Sequence, residues 1–129
     1  NKCKQCGELI YSYRNYCKKC FTLLGKDIVF STKTYGEVIA KRKYQAHTHI
    51  RDNARRKFRQ NNPSPVCKNC GYDKHVEVCH IRAINTFPLD ALISEINHLD
   101  NMIGLCPNCH WEFDHELLNI EDIKQKDFL

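Results

Sequence analysis

A small α+β fold tied together by metal-binding cysteines is what this sequence of 129 residues predicts, and three observations carry the prediction. Eight of the nine cysteines fall into four Cys-x2-Cys pairs, a spacing at which both thiolates of a pair reach one tetrahedral zinc ion. Ala46, Ile50, Ala54 and Phe58 recur at every fourth residue, which is the apolar stripe of a helix. The apolar/polar alternation across Val76, Glu77 and Val78 and the apolar run Met102–Leu105 leading into Cys106 read as two strands.

A 42% hydrophobic content permits a modest core. No apolar run approaches the roughly 18 residues of a membrane span, and no secretory leader is visible. The expected setting is therefore soluble and cytoplasmic, where paired cysteines hold zinc more often than they form disulfides. The net charge of +5 conceals two unlike halves: residues 1–60 carry 15 Lys and Arg against 4 Asp and Glu, and residues 61–129 carry 5 against 11. A basic half suits a polyanion, and an acidic half can gather carboxylates around a cation; the blander reading is two differently solvated surfaces.

Residues 1–33 read as a zinc ribbon or knuckle, with Cys3, Cys6, Cys17 and Cys20 as ligands and a short hairpin in "ELIYSYRNY", followed by irregular or extended chain from 21 to 33. Residues 34–60 form a basic helical arm. Thr34 and Glu37 stand in capping-box spacing, and the stripe from Ala46 to Phe58 forms the packed face of the helix that follows. Arg51, Arg55 and Arg59 make a second stripe, turned about 100° from the first. With Lys41, Lys43 and Arg56 they belong to a stretch, 41–60, that holds eight Lys and Arg and one acid. Phosphate contact is the functional reading and an exposed solvated helix the plain one. "NNPSP" at 61–65 is the linker, since its prolines end a helix.

Residues 66–129 form the second module. Cys67 and Cys70 make a knuckle with Gly71 at the turn, "HVEVCHI" is a strand, and "NTFPLDALISEIN" holds a helix opening near Pro88. "MIGLC" is a second strand, and Cys106 and Cys109 lead into a helix through "HWEFDHELL", with Trp111 and Phe113 expected in the core. One zinc on Cys67, Cys70, Cys106 and Cys109 clamps the ends of this unit.

Within the clamp stand His80, Asn101 and His110. "VCKNCGYDKHVEVCHIRAI" and "DNMIGLCPNCH" resemble the His-Asn-His signature of the HNH endonucleases, in the zinc-clamped branch of the ββα-metal superfamily, over roughly residues 66–118. The resemblance implies a treble-clef-like ββα-metal domain that hydrolyses phosphodiester bonds in DNA and leaves 5′-phosphate and 3′-hydroxyl ends. It is similar to phage, homing and restriction-type proteins, so a bacterial or phage origin is implied, with double-stranded DNA as partner. One site per chain nicks a single strand, and double-strand cleavage requires a homodimer or two encounters.

By that likeness His80 is the general base, a role for which an unperturbed imidazole near pH ~6.5 is suited. His110 is a ligand of the catalytic cation, Mg or Mn by preference, with a softer ion open. Asn101 either binds that cation or hydrogen-bonds the loop that orients His80. The departure is Cys79, where many relatives hold a metal-binding Asp or His. It reads as a buried strand cysteine, a ligand for a softer cation, or a redox-sensitive residue. Asp114 lies one helical turn beyond His110 on the same face and offers hard oxygens; His115 is farther around. Arg82 follows His80 by two residues and reads as a phosphate clamp or as surface charge. The rival readings are a two-zinc nucleic-acid adaptor without catalysis and a structural protein that serves a protein partner.

Overall fold

A computed structural model describes residues 1–4, 6–11 and 13–126. In chain order it contains α1 (Lys18–Ser31), α2 (Tyr35–Lys41), α3 (Ala46–Asn61), β1 (Glu77–His80), α4 (Ile93–Ile96), β2 (Met102–Leu105), α5 (Pro107–Asp114) and α6 (Ile120–Lys124). Short 3-10 turns at Ile84–Thr86 and Leu99–Asn101 punctuate the path from β1 to β2. The two strands pair antiparallel, with Glu77 opposite Leu105 and His80 opposite Met102. Among the described residues no helix is long and apolar enough to cross a membrane.

The two cysteine modules share one local design. In each, the first pair forms a tight knuckle closed by a glycine at positive φ, Gly7 at 79° and Gly71 at 83°, a conformation that favours glycine over residues with a Cβ. The amide of Cys3 donates to the Glu8 carbonyl and that of Cys67 to the Tyr72 carbonyl, both at 2.8 Å. In each, the second pair opens a helix: Cys17 Sγ accepts from the Cys20 amide at the start of α1, and Cys106 Sγ from the Cys109 amide at the start of α5. A thiolate at a helix N-terminus also meets the positive end of the helix dipole.

α1 overturns the expectation of irregular chain over 21–33. Cys17 caps it, no proline interrupts it, and Leu24 is half-buried on it. The hairpin expected in "ELIYSYRNY" reduces, among the described residues, to one bridge between Lys2 and Leu9, and Tyr11 and Tyr13 lie exposed. The helix expected near Pro88 opens instead at Ile93. Pro88 belongs to a turn closed by the Ala91 amide, and backbone bonds from Tyr35 to Ala91 and from Ile93 to Lys33 tie this loop beside α2. α5 ends at Asp114, short of Leu118, because Glu116 turns to a φ of 60°; Leu118 still packs under the hairpin.

α2 begins on the capping box read from sequence: the Glu37 amide donates to Thr34 Oγ1 and the Thr34 amide to Glu37 Oε1. α3 uses its stripe as expected. Ile50 and Ala54 are fully buried, and Ile50 lies in a cluster with Tyr35, Val38, Ala46, Ile84, Ile93 and Ile96. A second cluster sits on one side of the hairpin, with Cys67, Cys79, Leu105 and Ile123 at its centre. Phe58 crosses from α3 onto β2 at Gly104, where an added Cβ would stand 2.9 Å from Val76 Cγ1 and 3.1 Å from Phe58 Cζ. Burying one face of α3 leaves its neighbouring arginine face turned toward β1.

Candidate active site

A cleft of about 690 Å3 opens between α3, β1 and α5. Its α3 wall is made by His47 and the exposed Arg51, Arg55 and Arg59. The other wall carries Glu77, Cys79 and His80 from β1 with His110 and Asp114 from α5. Three separate readings of the sequence, the strand histidine, the post-cysteine histidine and the arginine stripe, thus meet around one cavity.

His80 ends β1. Its Nε2 faces Asn97 Oδ1 at 2.7 Å, and its Nδ1 has no hydrogen-bond partner among the described residues. Burial pushes the imidazole below its ordinary 6.5, with the Arg51 charge acting the same way and the Asn97 bond opposing both. A neutral ring with one unengaged nitrogen is the form that can accept a proton.

His110 enters from the first turn of α5. Its Nδ1 lies 2.9 Å from Glu77 Oε1 and its Nε2 3.4 Å from Asp114 Oδ2. The bond from His110 holds the Glu77 carboxyl below its usual range against partial burial, and His75 adds to the effect. A carboxylate on Nδ1 fixes the proton there and leaves the Nε2 lone pair for a cation. Cys79, His110 and Asp114 each offer one donor atom, and these lie within 4.8 Å of one another. Cys79 is only 2% exposed, and burial, with the charges of Asp114 and Glu77, pushes its thiol up to about 12. The donor set fits a divalent cation held through one imidazole nitrogen and one carboxylate, the thiol joining only for an ion soft enough to displace its proton.

The other expected site residues lie around this centre. Asn101 spans the base of the loop after β1: its Oδ1 accepts from the Arg82 amide at 2.8 Å, and its Nδ2 donates to the carbonyls of Arg82 and Ile96. These bonds match the second of its two anticipated tasks, holding the loop beyond His80. Arg82 stands over the Phe87 ring and donates to the Thr86 carbonyl. Arg56 turns away from the cleft and grips Asp27 of α1 with Nε and Nη2, at 2.8 and 2.7 Å. Lys41 and Lys43 are exposed, Lys43 beside the Tyr44 ring. Trp111, expected in the core, is 56% exposed and stacks on His115, whereas Phe113 packs under the hairpin.

Both quartets assemble as read. The sulfurs of Cys3, Cys6, Cys17 and Cys20 lie within 4.8 Å of one another, as do those of Cys67, Cys70, Cys106 and Cys109. Four converging thiols of this kind fit a structural zinc ion at each place.

Residues 66–121 match the family model described as HNH endonuclease. Over this segment the chain is similar to the HNH endonuclease family. The matched stretch holds β1, β2, α5, the second quartet and the His80, Asn101 and His110 triplet. No curated protein and no solved structure matches the chain. The HNH domain accounts for one wall of the cleft, and α3, outside the match, supplies the other. Two residues of the site were not legible in advance. Glu77 sits two positions before Cys79 on the same strand face, so strand alternation could have found it. Asn97 carries no spacing signal at all.

Proposed function

We propose that the protein is a metal-dependent endonuclease that hydrolyses phosphodiester bonds in DNA, with the cleft between α3 and the HNH hairpin as its active site. The observation that carries this reading is the convergence of His80, His110 and Asp114 with the Arg51, Arg55 and Arg59 stripe on one cavity. A nuclease needs a base, a cation site and a cationic track for the phosphates, and each is contributed here by a different element.

His80 accepts the proton of the attacking water at Nδ1, while Asn97 holds Nε2. His110 and Asp114 hold the divalent cation, oriented by Glu77; when bound, the ion supplies charge neutralisation at the phosphorane and leaving oxygen. Mg or Mn suits the imidazole and carboxylate pair, and Cys79 leaves room for a softer ion. Asn101 keeps the loop beyond His80 in place. Arg51, Arg55 and Arg59 run along the helix at one-turn intervals, about 6 Å apart, and take the backbone phosphates of double-stranded DNA. The two quartets hold zinc and act as structural clamps.

The test is relaxation of supercoiled plasmid by zinc-loaded protein with Mg, Mn, Ni or Zn added in turn. Nicked circles under at least one ion are expected. Salt-dependent DNA binding without nicking under any of them would favour the adaptor reading instead.

A further inference from the structure

We propose that Asn97 is the positioning residue of the His80 base, and that its orientation is set by α1 of the first cysteine module through Asn53 and Asp27. The inference rests on the nuclease reading.

Asn97 is 1% exposed and sits directly after Ile96, which is wholly buried. A buried amide costs about 1–3 kcal/mol for each group left unpaired, so an apolar side chain would be the easier occupant unless every group is used. Every group is used. Its Nδ2 donates to the Ile50 carbonyl at 3.0 Å and to Asn53 Oδ1 at 2.8 Å, and its Oδ1 faces His80 Nε2. Reversing the amide would set its oxygen against the Ile50 carbonyl oxygen, so Oδ1 is held toward the histidine.

The same logic fixes Asn53, which is 4% exposed. Its Nδ2 donates to Asp27 Oδ1 at 3.2 Å, and a carboxylate can only accept. Asn53 Oδ1 must therefore face Asn97. Asp27 is itself held by both guanidinium bonds from Arg56. One directed chain runs from the Arg56–Asp27 pair through Asn53 and Asn97 to His80, and its polarity admits one neutral ring: Nε2 protonated, Nδ1 carrying the lone pair. A core network serving stability alone would need no particular ring tautomer; a base that takes its proton on the cleft side does.

The tautomer is readable without activity. In full-length, zinc-loaded protein labelled with 15N-histidine, two-bond proton–nitrogen correlation spectra at a pH where the ring is neutral should show His80 in the Nε2–H form. Asn97→Leu should lose that preference and lower kcat about 10- to 100-fold, the usual scale for partners that orient a functional histidine, with KM little changed. Asn53→Ala, which spares the bond to His80, should weaken the preference in the same direction and serves if Asn97→Leu does not fold. A wild-type His80 in the Nδ1–H form overturns the proposal, as does a folded Asn97→Leu with unchanged tautomer and kcat. Wild type with the Nε2–H form but no cleavage supports the positioning chain and sinks the nuclease reading alone.

Discussion

His80 changes its task with its surroundings. In water an imidazole is half protonated near pH ~6.5, whereas burial in the strand holds this one lower. The base form is the neutral one, so lowering the pKa keeps it available as the solution becomes more acidic. The acidic limb of the kcat profile is accordingly expected below pH 6.5, and a limb above that value contradicts the assignment. His80→Ala should reduce cleavage by about 10²–10⁴-fold, the range for general bases, with metal analysis still giving the wild-type zinc content. How far a residue could be read in advance depended on whether its partners lie at fixed sequence distances. His80 and His110 stand beside cysteine pairs and strand signals, and so announced themselves. Asn97 depends on Ile50 and Asn53, more than 40 positions earlier, and nothing local marks it. Cys79 carries three readings in the sequence, and its burial within the cluster under the hairpin fits that of the strand cysteine, while its place beside His110 and Asp114 fits that of the ligand.

At the scale of elements, α3 is the junction of the molecule. One face enters the core, the next lines the cleft with Arg51, Arg55 and Arg59, and Arg56 on a third side holds α1 through Asp27. The helical period separates these duties, and the separation is testable. Replacing Arg51, Arg55 and Arg59 together by alanine should weaken DNA binding and lower the salt dependence of log K by about 2 to 3, close to one for each phosphate no longer neutralised. Arg56→Ala should leave that slope unchanged and instead cost about 1.5–3 kcal/mol of stability, the range for hydrogen bonds to a charged group, measured by denaturant unfolding. Gly104→Ala, forced against Val76 and Phe58, should destabilise the packing of α3 on β2 by about 1–3 kcal/mol. The arginine stripe was legible because helical neighbours follow from spacing alone. α1 was not, although Phe21, Leu24 and Ile28 stand at i, i+3 and i+7 and Cys17 opens a helix in the same way as Cys106; the strand-forming aromatics just before it point to a hairpin and mask that pattern.

For the whole molecule, two zinc-binding quartets replace a large core. Among the described residues the three small clusters, one of them little more than Cys3, Cys17 and Cys20 with Ile10 and Tyr16, bury too little apolar surface to hold the modules unaided. Structural zinc supplies roughly 10–16 kcal/mol in isolated fingers, comparable to the entire stability of a typical domain. Cys106→Ser should therefore abolish the cooperative unfolding transition of the HNH domain, followed by circular dichroism. Cys17→Ser should spare that domain yet lower cleavage, because it loosens α1 and with it the Asp27 anchor of the chain leading to His80. The central claim is that the cleft joining α3 to the HNH hairpin cuts DNA with His80 as base. Single-turnover cleavage of plasmid DNA by wild type and His80→Ala, at saturating protein and in the best-supporting metal, tests it most directly. The account predicts cleavage by the wild type and a loss of about 100-fold or more in the variant, with DNA affinity retained; equal rates for the two proteins would contradict it.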